Sequence, residues 1–219
     1  MAIVLASASP RRRELLPALA VTFEVVPADI DESSEDDDAA RLARDLARRK
    51  ALAVAADRPA DTVIGADTIV VLDGRQLGKP TDAAEARAML DALRGRTHHV
   101  VTGVAVVADG GEAMEDVTTA VTMRDYSDDE VTRYIARGEP FDKAGAYAVQ
   151  DPQFAPAAAV EGCRCAVIGL PLWTLRRLLR DTGVDAEPPA LPDCLGCPHR
   201  EDGPPAPGLS TSEASQAAE

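Results

Sequence analysis

Short apolar runs alternate with amphipathic stretches along the first 183 residues, and this pattern predicts alternating strands and helices. The runs predicted as strands are residues 3–6, 22–26, 62–72, 97–107, 116–123 and 165–171. Apolar positions at helical spacing predict helices that begin at Pro10, near residue 36, at Asp82, at Ser127 and at Pro171. Because the two kinds of element alternate, we expect one α/β domain, and two lobes would also fit the pattern.

Turn and cap residues mark several of these boundaries. Asp73-Gly74 directly follows the longest apolar run and is a two-residue hairpin signal, with "RQLGKP" as the returning strand. Residues 82–85 and 127–130 each have capping-box spacing, with an oxygen-bearing side chain three residues before a glutamate. The long runs on either side of residue 110 are expected to pair with each other.

Two charged residues occupy positions that the pattern assigns to the core. Lys50 follows Leu42 and Leu46 and precedes Val54 at four-residue spacing, so it shares the apolar face of its helix. It either extends its ammonium group to the edge of the core or serves a site. Asp67 lies within "TVIGADTIVVL", where an ionised carboxylate is costly unless it is paired or bound to metal. It is a candidate for holding a divalent cation or orienting a water, and capping of a neighbouring loop is the alternative.

Other polar residues follow strands or turns beside small residues. Arg11, Arg12 and Arg13 come directly after "LASASP", Lys79 lies in "GKP", and Lys143 lies in "DKAGAY". Together the candidate anion ligands are Ser7, Arg11, Lys50 and Lys79, and the candidate metal or water ligands are Glu32 and Asp67. Phosphate chemistry needs this combination, because cations neutralise phosphate oxygens while carboxylates hold Mg²⁺ and position the nucleophile.

The composition and the absence of several known motifs exclude some classes of function. The formal net charge is −14, which argues against general affinity for nucleic acid or anionic membrane. No apolar run approaches the roughly 20 residues of a membrane span, and no export signal is recognisable, so we expect a cytoplasmic protein. P-loop, dinucleotide-binding and nucleophile-elbow motifs do not occur. His98 and His99 are adjacent, so in a strand their rings face opposite ways and cannot share one metal.

The composition changes beyond residue 183. Residues 184–219 are rich in proline and acidic residues and are predicted to form an extended or disordered tail, which leaves residues 1–183 as the domain. The four cysteines are Cys163, Cys165, Cys194 and Cys197. Without an export signal, disulfides are not expected. Two sulfur pairs are able in principle to form a zinc site, and reduced thiols are the alternative interpretation.

These residues give the chain a resemblance to the Maf family of nucleoside triphosphate pyrophosphatases, from about residue 3 to residue 182. The blocks that carry it occur in the family's order: "LASASPRRRELL", "DIDES", "LARRKA", "IGADTIVVLDGRQLGKP", "GRTHHVVTGV", "DKAGAYAVQ" and "VIGLPL". The resemblance implies a mixed, curved β-sheet with flanking helices that form two lobes around a cleft, similar to the inosine triphosphatases. It also implies a homodimer.

The resemblance further implies hydrolysis of a nucleoside triphosphate to the monophosphate and pyrophosphate with a divalent metal, Mg²⁺ or Mn²⁺. Asp67 matches the proposed general base, and Glu32 matches a catalytic or metal-associated carboxylate. The residues that match triphosphate-handling positions are Ser7, Arg11, Lys50 and Lys79. Arg12 and Lys143 also fall within family blocks, and we expect them to contact the substrate.

Three positions separate branches of the family. Arg11, Thr68 and Gln150 resemble the branch that acts on dTTP and UTP, and a glutamine offers both a donor and an acceptor to a pyrimidine edge. In that branch glycines flank the Ile-Gln pair, whereas this chain has "AVQD". The alternative functions are a nucleotide-binding regulator of cell division that does not catalyse a reaction, and a pyrophosphatase for modified purine nucleotides.

Overall fold

The computed structural model describes residues 1–34, 36–109 and 111–200. Within these ranges seven strands form one mixed sheet in the order β2-β1-β3-β5-β6-β7, and β4 pairs with β3 beyond the end of β1. The strands are β1 Ile3–Leu5, β2 Phe23–Val25, β3 Thr62–Leu72, β4 Arg75–Leu77, β5 Thr97–Ala108, β6 Gly111–Met123 and β7 Ala157–Glu161. β1 is parallel to β2 and β3, and the other pairings are antiparallel.

Helices cover both faces of the sheet. They are α1 Pro10–Leu15, α2 Ala39–Ala55, α3 Ala83–Leu93, α4 Asp128–Ala136, α5 Arg164–Ile168, α6 Leu172–Asp181 and α7 Pro192–Leu195, with 3₁₀ turns at Leu16–Leu19, Glu139–Asp142 and Ala144–Ala146. The predicted capping box that starts at Ser127 is complete, since both reciprocal hydrogen bonds are present. Asp82 caps α3 by accepting from the N–H of Glu85, whereas the Glu85 carboxylate bonds Thr81 instead. No helix in the described ranges combines the length and apolar character needed to cross a bilayer.

α2 packs unusually close to the sheet because two strand residues facing it have no side chain. A Cβ added to Gly65 would lie 2.0 Å from the backbone oxygen of Ala47, and one added to Gly103 would lie 2.2 Å from that of Ala43. Gly65 and Gly103 lie diagonally across β3 and β5, two residues apart in register, since Gly103 pairs with Asp67 and Gly65 pairs with Ala105. This close approach brings α2, and with it Lys50, onto the strand that carries Asp67.

The opposite face of the sheet carries two apolar clusters, which form the cores of two lobes. One contains Leu5, Leu16 and Leu175 and joins β1 to α1 and α6. The other contains Leu90 and Tyr134 and joins β3 and β5 to α3 and α4. The expectation of a mixed α/β sheet with helices in two lobes is confirmed.

For residues 157–171 one prediction is wrong and one strand was missed. The run at 165–171 was predicted to be a strand, but Arg164–Ile168 forms the short helix α5. Gly169, at φ 125°, ends this helix in a conformation that favours glycine. The seventh strand, Ala157–Glu161, was not predicted, and it pairs with β6 through a bulge.

Residues 184–200 also differ from the extended tail expected for them. This segment packs against the first lobe, buries Ala186, Cys194 and Cys197, and contains the short helix α7. The N–H groups of Glu187 and Ala190 donate to the carbonyls of Leu19 and Ala18. These bonds hold the segment beside the 3₁₀ turn Leu16–Leu19. The remaining part of the predicted tail, 201–219, lies outside the described residues.

Candidate active site

The site lies at a gap in the pairing of β3. β1 pairs with β3 only over Thr62 to Ile64, and β4 pairs with it only over Val70 to Leu72. Asp67 and Thr68 lie between these two pairings, where no strand in the described ranges adjoins this edge of β3. A cleft of about 530 Å³ opens there between the two lobes, within the size range of small-molecule sites.

Every residue predicted for the site lines this one cleft. They are Ser7, Arg11, Arg12, Glu32, Lys50, Asp67, Thr68, Lys79, Lys143 and Gln150. They come from the loop after β1, the loop before α2, α2 itself, β3, the turn after β4 and the loops that follow α4. The structure therefore brings together residues that are up to 143 positions apart between Ser7 and Gln150, although it does not by itself assign their roles.

Lys50 lies at the centre of a three-residue ion cluster. Its Nζ is 2.6 Å from Oδ1 of Asp67 and 2.7 Å from Oε1 of Glu32. The Lys50 and Asp67 side chains are both about nine-tenths buried, whereas that of Glu32 is half exposed. Lys50 therefore reaches a buried ion pair rather than the solvent. In the described part of the chain, Oδ2 of Asp67 has no hydrogen-bond partner from the protein.

The pKa of Glu32 responds to this arrangement. Partial burial alone would raise the pKa, but the hydrogen bond and charge of Lys50, together with the charges of Lys79 and Arg12, lower it below the usual value. Glu32 is therefore ionised at neutral pH, and the cluster presents two carboxylate groups beside one ammonium group.

Arg12 connects Ser7, Thr68 and Gly169, which together form the floor of the cleft. Its Nε donates to the carbonyl of Gly169, Nη1 donates to Oγ of Ser7, and Nη2 donates to Oγ1 of Thr68. Burial lowers its pKa, and the charge of Asp67 opposes that effect. Because all three nitrogens are engaged by protein oxygens, Arg12 connects the loop after β1 to β3 and to the end of α5. Its fixed charge still faces the cleft.

Thr102 is a part of this floor that the sequence did not reveal. Its hydroxyl lies 3.0 Å from that of Thr68 and donates to the carbonyl of Ala166 at 2.7 Å. Its side chain is fully buried. One threonine in a run of valines on β5 gives no signal of a site role, because its importance comes from the strand register that sets it opposite Thr68.

Asp142 is a second residue that the sequence analysis missed. It accepts from Nη1 of Arg11 at 2.7 Å and from Nζ of Lys143 at 2.7 Å. Its partial burial would raise its pKa, but the hydrogen bonds from Lys143 and Arg11 lower it below the usual value. Arg11 belongs to the first lobe and Lys143 to the second, so Asp142 joins a predicted phosphate ligand to a predicted substrate contact across the mouth of the cleft. Its position directly before Lys143 was the available signal.

The rim of the cleft carries the exposed candidates Lys79 and Gln150. Asp151, which departs from the family pattern beside Gln150, does not line the cleft. Its carboxylate pairs with Arg137 at 2.6 Å and accepts from the N–H groups of Gln153 and Phe154. The extra charge is therefore neutralised away from the site.

The charge balance of the cleft is opposite to that of the whole chain. Among the described residues, five basic and three acidic side chains line it, whereas the complete chain has a formal charge of −14. A locally positive cleft in an acidic protein favours a multiply charged anion as the ligand. Asp67 and Glu32 add the carboxylates that a simple anion-binding site would not need.

His98 supports one wall of the cleft from behind. Its Nε2 lies 2.7 Å from the hydroxyl of Tyr147, which lines the cleft, and its buried Nδ1 has no hydrogen-bond partner within the described ranges. Burial, with a smaller contribution from His99, lowers the pKa of His98 from 6.5 to about 4. His98 is therefore neutral in the folded protein near pH 7.

This shift predicts an acid-sensitive stability. Between pH 6.5 and about 4 the unfolded chain protonates His98 while the folded chain does not, so the free energy of unfolding falls as the pH falls. We expect a loss of roughly 2–3 kcal/mol over that window from this residue. Urea denaturation from pH 7 to pH 4 should show that His98→Leu lacks this part of the slope and that His99→Leu, at the exposed neighbouring position, keeps it. Equal slopes in the two variants would contradict the assignment.

The geometry defines a polyanion-binding cleft that also contains paired carboxylates. The chain belongs to the Maf-like protein family, whose sequence profile matches residues 2–182. It is 51% identical over 204 residues to a dTTP/UTP pyrophosphatase of Thermomicrobium roseum, covering 90% of this chain and 94% of that protein. The dTTP/UTP pyrophosphatase of Deinococcus radiodurans is 47% identical over 184 residues, covering 84% and 94%.

A further relative is the dTTP/UTP pyrophosphatase of Koribacter versatilis, which is 46% identical over 185 residues and covers 84% of this chain and 96% of that protein. Among solved structures, a nucleoside-triphosphatase (dITP/XTP pyrophosphatase) from Mycobacterium abscessus is similar at a TM-score of 0.39 and 20% identity, covering 57% of this chain and 76% of that one.

Proposed function

We propose that this chain is a nucleoside triphosphate pyrophosphatase that hydrolyses dTTP and UTP to the monophosphate and pyrophosphate. The observation that carries the proposal is the Lys50 ammonium bound by both Asp67 and Glu32 inside a cleft with four further basic side chains. A site that only bound a nucleotide would have no need of two carboxylates close to the phosphates, one of them buried. The names of the relatives support the reaction and the choice of nucleotide.

The proposed reaction is attack of a water on the α-phosphorus. A bond forms between the water oxygen and the α-phosphorus, and the bond from the α-phosphorus to the bridging oxygen of the β-phosphate breaks. Oδ1 of Asp67 is held by Lys50, which fixes the carboxylate, and Oδ2 faces no protein donor among the described residues. Asp67 is therefore placed to accept the water proton as general base.

The basic side chains serve the leaving pyrophosphate. Negative charge accumulates on the bridging oxygen as the bond breaks, and fixed cations in a partly buried cleft stabilise it without reorganising. Arg11 and Lys143 are already oriented by Asp142, and Lys79 extends from the rim. Ser7 is held by Arg12 and offers a hydroxyl to a phosphate oxygen.

The carboxylates also fit a divalent cation. Asp67 and Glu32 each contact the same Nζ atom, so their oxygens lie close together, and Mg²⁺ commonly uses one or two carboxylates together with substrate phosphates. In the parts of the chain that the structure describes, no group of three or more His, Cys, Asp or Glu side chains is arranged to hold a metal, so phosphate oxygens and water would complete the coordination. Mg²⁺ or Mn²⁺ held by Asp67 and Glu32 would neutralise phosphate charge.

Gln150 is proposed to contact the pyrimidine base. It lies at the rim of the cleft beside Ala148 and Val149, and the acidic neighbour Asp151 is turned away into an ion pair. A carboxamide offers a donor and an acceptor to the edge of thymine or uracil. Thr68 and Arg11, which mark the same branch of the family, also line the cleft. A cytoplasmic location and a homodimer remain predictions.

The substrate preference is tested by supplying the purified chain with dTTP, UTP, dCTP, dATP, dGTP and dITP in the presence of Mg²⁺ or Mn²⁺, with pyrophosphate release as the readout. We expect dTTP and UTP to give the highest kcat/KM, and chelation of the metal to abolish turnover. Faster turnover of dITP would favour the purine alternative. Tight binding of a nucleotide without turnover would favour the regulatory alternative and contradict the enzyme assignment.

A further inference from the structure

The four cysteines of the chain, separated by up to 34 positions in sequence, converge in the core of the first lobe. Their side chains are each no more than 2% exposed. Cys163 and Cys165 lie at the start of α5, and Cys194 and Cys197 lie in and just after α7. The cluster lies outside the active-site cleft, since no cysteine lines that cleft, and the proposed reaction does not use it.

Each thiol of the domain faces a thiol of the C-terminal segment. Sγ of Cys165 lies 3.4 Å from Sγ of Cys194, and Cys163 and Cys197 are neighbours that form the second pair. A disulfide needs its sulfur atoms about 2.05 Å apart, so the 3.4 Å pair is not bonded. Sulfur ligands around a tetrahedral zinc ion lie roughly 3.8 Å from one another, given Zn–S bonds of about 2.3 Å. The observed separation is close to that second value.

The surroundings of the cluster hold its two halves in place. Trp173 on α6 donates its indole N–H to the carbonyl of Cys194 at 2.9 Å, and Arg164 forms an ion pair with Asp193 at 3.3 Å. The N–H and the carbonyl of Cys163 both bond the hydroxyl of Thr119 on β6. The backbone on both sides is thus positioned by bonds that do not involve the thiols.

We propose that Cys163, Cys165, Cys194 and Cys197 bind one structural Zn²⁺ that fastens residues 184–200 to the domain. Four thiolate ligands form four Zn–S bonds, the four thiol protons pass to solvent, and no oxidation takes place. As they stand the thiols form two pairs, and within the described ranges no three side chains share a ready metal position. Binding of the ion would therefore require the four thiols to rotate toward a common centre. The C-x-x-C half has the spacing found in structural zinc sites.

A metal explains why two buried cysteines of the segment meet two buried cysteines of the domain. Of residues 184–197, the buried ones are Ala186, Pro189, Cys194 and Cys197, so two of the four buried side chains in this stretch are thiols. A structural zinc ion contributes free energy directly to folding, and it does so through the residues that bridge the segment and the domain.

The test measures metal content in the full-length chain, purified without chelator and with its thiols kept reduced. Mass spectrometry of the elements is expected to find one zinc per chain in the wild type, and loss of that zinc in Cys194→Ser and Cys197→Ser. His199→Ala, which changes the neighbouring potential ligand, and the double variant Glu32→Gln with Asp67→Asn, which changes the cleft, are both expected to keep it. Loss of zinc in either of these two controls would overturn the proposed ligand set.

A second measurement uses the wild type alone, so it does not depend on whether the variants fold. Stripped, reduced protein titrated with Co²⁺ is expected to develop thiolate-to-cobalt charge-transfer absorption and the intense visible bands of a tetrahedral site, saturating at one equivalent. Absence of both zinc and these bands overturns the proposal. An intact mass two or four hydrogens lower without metal would instead identify disulfides, and iron in place of zinc would also overturn it.

Discussion

Asp67→Asn is expected to lower kcat by roughly 10²–10⁴-fold, the usual contribution of a positioned general base, while the chain stays folded. The amide oxygen of asparagine still accepts the hydrogen bond that Lys50 gives to Oδ1 at 2.6 Å. What the variant loses is the carboxylate that takes the proton of the attacking water and that would share a metal with Glu32. The readout is steady-state pyrophosphate release, with thermal unfolding measured on the same samples.

Asp116→Asn is the matched control for this variant. Asp116 lies in the same row of the sheet as Asp67, because both pair with Gly103, and it also forms an ion pair with α2, through Arg44. It does not line the cleft. We expect its kcat to stay within about twofold of the wild type, since it contacts no part of the site. A folded Asp67→Asn protein with near wild-type turnover would exclude Asp67 as the base.

Gly103→Ala is expected to lower the free energy of unfolding by about 3 kcal/mol or more, at the upper end of the range for overpacked positions. The new Cβ would lie 2.2 Å from the backbone oxygen of Ala43 and 2.3 Å from its carbonyl carbon. Backbone atoms of a helix cannot turn aside as the end of a flexible side chain can, so α2 has to move. For a domain of this size the change corresponds to a fall in Tm of roughly 6–12 °C.

The same substitution should also reduce activity at temperatures where the variant is still folded, because moving α2 shifts Lys50 relative to Asp67. Gly78→Ala is the control for stability, since a Cβ there meets no atom within 4 Å. We expect its Tm to change by no more than about 2 °C, as for most substitutions that touch nothing. If Gly103→Ala and Gly78→Ala unfolded at the same temperature, the close packing of α2 on the glycines would not be a determinant of the fold.

Much of the site could be predicted because its residues contradict their local pattern. Lys50 interrupts an apolar helix face and Asp67 interrupts an apolar strand, and each violation is resolved by the other across 2.6 Å. Local signals were equally reliable for the hairpin at Asp73-Gly74, where both residues have positive φ, and for the capping box at Ser127. The hairpin and the capping box depend on residues that are close in sequence, so the sequence shows them directly.

The errors arose where distant contacts decide the structure. A run of five to seven apolar residues fits a buried strand or a buried helix equally well. The helix α5 is fixed in place by distant residues, since Thr102 donates to the carbonyl of Ala166 and Arg12 donates to that of Gly169. β7 is alanine-rich and was not recognised as a strand, yet it pairs with β6 at the edge of the sheet. Thr102 and Asp142 likewise gain their places in the site from register and lobe packing.

The segment after residue 183 shows the same limit. Its proline and acidic residues have the composition of a disordered tail, but residues 184–200 are held by backbone bonds to the 3₁₀ turn and by Trp173. Composition reports whether a segment is able to build a core of its own. It does not report whether the segment docks on another core, which here involves contacts between residues as far apart in sequence as Ala18 and Ala190.

The most direct test of the proposed chemistry is hydrolysis of dTTP by the wild type in water labelled with ¹⁸O, followed by mass spectrometry of both products. Attack on the α-phosphorus, with Asp67 accepting the proton, predicts one labelled oxygen in every dTMP and none in the pyrophosphate. Label in the pyrophosphate, or release of inorganic phosphate and dTDP, would contradict the account.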